Sequence, residues 1–388
     1  MSRPCLAFSF SLVLLLAGAW LAPAQDTSDA EAARPDVKLA IGGTLQPRVS
    51  HGRLDLANPG TDRERTGFGI RRARLRASAT LAGRAGASFQ LGAAGASVML
   101  LDAKLFFDVT DALRVRAGRF TVAQPRAFQP TSHTEIDLGA RAAIARRWGN
   151  STLGNSGRDF GVGAVYETDR LTGRVALHNG NGSWDRALGN VRPDVVGDPT
   201  GGGDTRGGAA SAYGAWRPAA LPGLEVGGYA GYNAARNAAT VAPEALRPGG
   251  GRFDSTARSY ASYAGHLYWG AWPGSQPVRL KADLIGTRYE TRSASAGEIS
   301  QHALGASLLG AVGLFDRSAE LLARIERYDA AIGRDGNATD YLSAGASLSL
   351  SALRGRPYER QRLSVGYATR LDDNRRPHLV VLQAQIVF

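Results

Sequence analysis

The last seven residues, Leu382-Gln383-Ala384-Gln385-Ile386-Val387-Phe388, alternate with a period of two. Leu382, Ala384, Ile386 and Phe388 fall on one face, and Gln383, Gln385 and Val387 on the other. This reads as a β-strand with one apolar and one mostly polar face. The strand uses the final residue, so the carboxyl terminus is expected to be held in a sheet, where terminal residues would otherwise fray.

The same alternation runs upstream. Val37, Leu39, Ile41, Leu45 and Val49 oppose Lys38, Thr44, Gln46 and Arg48. Ala73, Leu75, Ala77 and Leu81 oppose Arg72, Arg74, Arg76, Ser78 and Thr80. Met99, Leu101, Ala103, Leu105 and Phe107 oppose Asp102, Lys104 and Asp108, and Leu113, Val115 and Ala117 oppose Arg114 and Arg116. Further strands are expected near 84–95, 158–168, 171–180, 207–217, 224–234, 256–270, 276–290, 299–315, 317–330, 339–352, 358–371 and 377–388. Tight turns at Pro273-Gly274, Asp316 and Asp372-Asp373-Asn374 alternate with long connections at 122–156, 182–206 and 236–255.

An even set of about sixteen strands, with short turns at one end and long loops at the other, is what an outer-membrane barrel requires. Strands of about ten residues match a tilted crossing of the hydrocarbon layer. In lipid no sheet edge can stay unpaired, so the sheet must close. The fold expected over 37–388 is therefore an all-β, transmembrane, antiparallel barrel. A soluble sandwich would want larger residues on its buried faces than a chain with 49 glycines supplies. A β-helix would show a short fixed repeat, and none is present. Tyrosines and tryptophans near strand ends, such as Tyr166, Trp216, Tyr232, Tyr260, Tyr263, Tyr268, Tyr289 and Tyr341, suit interfacial girdles.

Residues 1–24 read as a secretory signal peptide: Arg3 is the positive n-region, Leu6 to Leu16 is apolar, and Ala22-Pro23-Ala24 is a cleavage site. Residues 25–36 read as a flexible lead. The single cysteine, Cys5, lies inside the signal, so the mature chain is expected to carry no thiol chemistry. The formal net charge is +12. All lysines but Lys38, Lys104 and Lys281 are absent, so arginine carries this excess. For an exported protein, anionic lipopolysaccharide or an anionic solute is a better partner than nucleic acid. Arginine's planar fork suits phosphate and carboxylate.

The connection 122–156 is too long for an idle turn. It carries Arg126, Arg141, Arg146 and Arg147. Folded inward, these would narrow a pore and set a positive field, which is how pores select anions. Arg279, Lys281, Arg360 and Arg362 join Arg72, Arg74, Arg76, Lys104, Arg114 and Arg116 on polar strand faces. Inward charge costs little in a wet lumen, whereas at mid-depth in lipid it costs about 2–4 kcal/mol. The plainer role for each arginine is bracing against lumen acids such as Asp102, Asp108, Asp283, Glu320 and Glu326.

Other chemistry is weakly signalled. The six histidines show no metal-like spacing and read as surface residues. No nucleophile elbow, P-loop or dinucleotide fingerprint is present, and no cofactor is expected. Arg158-Asp159 reads as a strand-start ion pair or a loop anchor.

Four stretches carry a family resemblance: Arg71-Arg72-Ala73-Arg74-Leu75, Gly118-Arg119-Phe120-Thr121 with Pro125, Gly157-Arg158-Asp159-Phe160-Gly161-Val162, and Leu177-His178-Asn179-Gly180-Asn181-Gly182. In this order they resemble the phosphate-selective porins of Gram-negative bacteria. Arg119 and Thr121 stand where that family has Gln and Lys, and His178 replaces an apolar or aromatic residue. A terminal strand closing on Phe388 is similar to the signal read by the outer-membrane barrel assembly machinery. The resemblance implies a homotrimeric channel, an inward-folded third extracellular loop and a ladder of basic side chains selecting anions. Because Thr121 replaces the loop lysine, anion selectivity is expected more firmly than phosphate selectivity. The alternatives are a general diffusion pore whose arginines only brace the wall, or an adhesin or enzyme on a barrel scaffold. An adhesin would use 182–206 and 236–255.

Overall fold

Gly43 and Phe388 exchange backbone hydrogen bonds, N–H to O at 2.9 and 3.1 Å, and so close a barrel of sixteen antiparallel strands. The computed structural model describes residues 36–56, 64–94, 97–128, 130–153, 157–180, 208–234, 258–293 and 297–388. The expected signal peptide, the lead up to Pro35 and the long connections 182–206 and 236–255 lie outside the described residues.

The strands are β1 (Val37–Gly52), β2 (Arg65–Leu81), β3 (Ala85–Ala94), β4 (Ser97–Asp108), β5 (Leu113–Thr121), β6 (Arg158–Glu167), β7 (Leu171–His178) and β8 (Ala209–Trp216). They continue as β9 (Leu224–Asn233), β10 (Arg258–Trp269), β11 (Val278–Ser293), β12 (Gly297–Leu314), β13 (Ala319–Asp329), β14 (Ala338–Ser349), β15 (Gln361–Arg370) and β16 (His378–Val387). Each pairs with its sequence neighbours, and β16 pairs back on β1. The seam lies further along β1 than its start at Val37, because strands in a closed barrel are staggered. Val37 to Ile41 pair with β2 alone.

Apolar side chains cover the outside, as the alternation requires: Leu39, Ile41 and Phe68 are 76%, 75% and 92% exposed. In a chain that crossed no apolar phase this surface would be unstable; against lipid it is the favourable face. Among the described residues no helix is long and apolar enough to cross a membrane.

Two bulges break the alternation. On β2, Gln46 pairs with Arg72 but Pro47 pairs with Ile70, leaving Arg71 as an extra residue. Ile70 and Ala73 therefore both face outward, while Arg71 and Arg72 sit side by side on the inner face. The charges Arg71 feels most are Arg146, Arg48 and Arg74. On β4, Gln90 pairs with Asp102 but Leu91 pairs with Leu100, so Leu101 is extra. Met99 and Leu101 thus belong to the inner side, against the sequence expectation, and Leu101 packs over Gly92. A bulge places two residues against one and shifts the face of everything beyond it.

The aromatics divide in a way the sequence does not show. Tyr166, Trp216, Tyr232, Tyr263 and Tyr367 are exposed on the outer wall. Tyr229, Tyr260, Tyr268, Tyr289, Tyr328 and Tyr341 are buried inside the barrel and form no girdle.

Candidate functional site

Those inner tyrosines are covered by the connection between β5 and β6. It folds into the barrel and carries the short helix α1 (Ala143–Ser151), which the strand-dominated sequence pattern did not reveal. Phe128, Ile144, Trp148 and Leu153 form an apolar cluster with Tyr229, Tyr260 and Tyr289 of the wall. Gly305 of β12 makes room: a Cβ there would lie 2.8 Å from Ile144 Cγ2. The α1 N-terminus has no side-chain cap of its own. Instead the Ile144 N–H donates to Glu326 Oε2 of β13 at 3.2 Å, so a wall carboxylate meets the positive helix end. Trp148 Nε1 donates to Ser262 Oγ at 2.7 Å, and Tyr289 Oη donates to Ser151 Oγ at 2.6 Å.

Charged clasps fix the rest of the segment. Arg279 donates to Asp137 at 2.9 Å and to both oxygens of Glu320 at 2.8 Å. Lys281 Nζ reaches Asp137 Oδ2 at 3.0 Å. Burial alone would raise the Asp137 pKa, but Lys281 and Arg279 outweigh it and hold the carboxyl well below the carboxylate range. Arg126 Nε donates to Glu225 Oε1 at 2.7 Å, Arg362 to the Ile136 carbonyl at 2.7 Å, and Gln385 to the Thr134 carbonyl at 3.1 Å. The segment thus leans on the side of the barrel from β9 round to β1.

A passage of about 1180 Å³ remains on the opposite side, between β2–β7 and Pro130, Ser132 and His133 of the inner segment. Of the sequence-predicted residues, Arg74, Arg76, Lys104, Arg114 and Arg116 line it. Arg158 and Arg174 line it too. Arg174 alternates with the outward Val175 and Leu171, a pattern that places it on the inner face from sequence alone. Arg158 is not paired with its neighbour Asp159: it donates to both oxygens of Asp102 at 3.1 and 3.2 Å. Arg114 is held by Asp108. Among the described residues, Arg74, Arg76, Lys104, Arg116 and Arg174 form no ion pair. Arg116 Nη2 donates to the Thr121 carbonyl at 3.0 Å and its guanidinium lies 4.3 Å above the Phe120 ring.

The other predicted cations do not face this passage. Arg72 donates to Gln46 Oε1 at 3.0 Å. Arg141 is buried and donates to the carbonyls of Phe128 and Thr131. Burial first, and then Arg74, Arg71 and Arg158, pull its pKa down from the ordinary guanidinium value. Arg146 reaches Asp55 at 3.9 Å, and Arg147 donates to Thr339 Oγ1 at 3.1 Å over the Tyr328 ring. Instead of projecting a field, Arg126, Arg279 and Lys281 are neutralised in clasps, while Arg362 is buried against the Ile136 carbonyl. Arg360 is exposed in the turn before β15 and lies off the inner strand face.

Three histidines are buried, contrary to the surface reading: His133, His178 and His266. His133 bonds Thr44 Oγ1 at 3.0 Å; burial and the surrounding Arg74, Arg72, Arg141 and Arg76 drop its pKa to about 2, so it stays neutral. Asp159, His178 and Ser211 form a hydrogen-bonded row across β6, β7 and β8, with contacts of 2.8 and 3.4 Å. Asp159 also accepts the Gly180 N–H at 2.6 Å and the Phe160 N–H at 2.9 Å. The row is sealed in the wall, with Asp159 0% exposed, and acts as an anchor for the strand ends. Among the described residues no cluster could hold a metal ion.

No protein-family model and no curated sequence matches the chain. Solved structures do. The anion-selective porin from Comamonas acidovorans aligns with a TM-score of 0.58 at 14% identity, over 91% of this chain and 100% of that one. OmpT of Vibrio cholerae, expressed in the outer membrane, gives 0.57 at 11% identity, over 94% and 99%. The outer membrane channel DcaP of Acinetobacter baumannii gives 0.56 at 11% identity, over 91% and 97%. The fold is that of a bacterial outer-membrane porin-type barrel.

Proposed function

We propose that the protein is a passive outer-membrane channel for small anions, with phosphate or related oxyanions favoured. The observation that carries this reading is the composition of the passage wall. Arg74, Arg76, Lys104, Arg116 and Arg174 meet there with no acid in ion-pair contact among the described residues, Arg114 and Arg158 are each neutralised, and cations outnumber acids even with Asp111 and Glu167 on the same wall. Fixed cations lining a wet constriction attract anions and repel cations. Their dispersal along the wall suits transit, because conduction needs sites weak enough to release the ion. The anion-selective porin among the structural neighbours agrees with this reading at the level of fold. The motif resemblance to phosphate-selective porins adds the preference for oxyanions. Assembly would proceed through export, recognition of the Phe388 strand by the barrel assembly machinery, and association into a homotrimer in lipopolysaccharide-rich membrane. No enzymatic step is part of the proposal.

Planar-bilayer recording of the purified protein tests it. In a chloride gradient the reversal potential should show anion preference, and added phosphate should reduce chloride current. Cation preference would overturn the proposal. Anion preference with no phosphate block would leave a general diffusion pore, a reading favoured by the many arginines already held in clasps.

A further inference from the structure

The outer wall changes character at the rim that carries the long connections. Arg288 of β11 and His302 of β12 are cross-strand neighbours on the outward face. The turn after β13 leans against β12, its Ile332 N–H donating to the His302 carbonyl at 2.8 Å. Between them lies an open groove of about 440 Å³, bounded by Tyr263, Arg288, Ser300, His302, Ile332 and Arg334. Arg288 Nε donates to Ser300 Oγ at 3.2 Å, and Tyr263 Oη shares a hydrogen bond of 2.8 Å with His302 Nε2.

Neither guanidinium is neutralised. Glu290 and Asp335 are exposed close by in sequence, yet among the described residues neither Arg288 nor Arg334 forms an ion pair. Arg327, on the same outward face, does: it reaches Asp340 at 3.2 Å. Among the described side chains at this rim, Arg327 has an acid and Arg288 and Arg334 do not. Below the groove the wall turns apolar, with Leu284 and Leu308 44% and 51% exposed. Gly286 lies between them and the groove, and the Tyr263 ring fills the space a side chain there would need.

We infer that this groove binds the phosphorylated headgroup of an outer-leaflet glycolipid, its acyl chains running down over Leu284 and Leu308. Guanidinium forks match phosphate oxygens bidentately. Basic side chains just above an apolar wall are the pattern that recognises anionic lipid. A free phosphate would gain the cations but nothing from the apolar wall, so the groove is assigned to an amphiphile. The inference rests on the membrane placement of the barrel and not on what the lumen conducts.

Binding to the full-length protein in uncharged detergent can be followed by native mass spectrometry with three probes. These are a diphosphorylated, acylated glucosamine disaccharide, the same lipid without phosphates, and inorganic phosphate. The parent protein should retain the first. Arg288→Gln combined with Arg334→Gln should weaken it about tenfold or more, as loss of charge-assisted bonds does. Single-channel conductance should not change, which also reports that the variant is folded. Equal retention by parent and variant, or equal binding of the phosphate-free lipid, would overturn the inference. Displacement of the lipid by equimolar inorganic phosphate would do the same, by showing an ion site in place of a lipid site.

Discussion

Asp137 of the inner segment and Arg279 of β11 meet at 2.9 Å although 142 positions separate them. The contact joins the segment to a fully buried guanidinium that also holds Glu320. It is a buried ion cluster in which Lys281 depends on Asp137 alone.

Asp137→Asn should free the segment from β11. Stranding Lys281 costs about 3–5 kcal/mol for a buried pair broken on one side, while Arg279 keeps Glu320. Faster proteolysis of the inner segment and a larger single-channel conductance are the expected readouts. Unchanged conductance would mean that the remaining contacts of α1 suffice.

Acid should act on the same clasp. The Asp137 pKa is depressed, so its stabilisation is complete above the unfolded carboxylate value of about 4 and is lost as pH falls through the lower folded value. Conductance recorded from pH 8 downward should therefore show no segment release until below about pH 4. A transition near pH 6 would point to another group.

Neutralising Arg116 and Arg114 should have unequal effects. Arg116 has no acid partner, while Arg114 is paired with Asp108. Arg116→Gln is expected to lower the anion-to-cation permeability ratio. Arg114→Gln should lower it too, but it also unmasks Asp108 at a more exposed position. Reversal potentials of the two variants distinguish wall cations that act on ions from those that brace the wall; a null effect at Arg116 would count against the passage as drawn.

Gly305→Val tests the seat of α1. A side chain there collides with Ile144 and the Tyr328 ring. Overpacking of this kind costs about 1–3 kcal/mol. The barrel should still close, with conductance raised by displacement of the helix, and recordings at identical salt would reveal it.

Asp159→Ala removes the acceptor of the Gly180 and Phe160 amides and of His178. With those donors buried and orphaned, about 3–5 kcal/mol of local stability should be lost. The heat needed to convert the folded band to the unfolded one on a gel should fall.

The strand plan was legible because one physical rule, alternation between lipid and water, governs the strands between Val37 and Val387. Length marked 122–156 as more than a turn, and its inward course was what the motif resemblance implied. What escaped it depends on contacts between distant segments. Nothing local in Arg126 or Arg279 says that Glu225 or Asp137 will neutralise it. Helix α1 was hidden in a short stretch whose apolar Ile144 and Trp148 lie four apart, a spacing too brief to stand out against sixteen strands. The faces of Met99, Leu101 and Arg71 were misread or missed because a bulge is a property of two strands together.

The bulge at Arg71 also gives the barrel a way to change its inner charge by length alone. Omitting Arg71 would bring Ile70 directly before Arg72, and the strand would then alternate without interruption. Every outward residue on either side would keep its place against lipid. A single-codon deletion, ordinarily ruinous in a strand whose phase decides solvent or lipid, is at this bulge an in-phase edit that tunes the conductor and spares the shell.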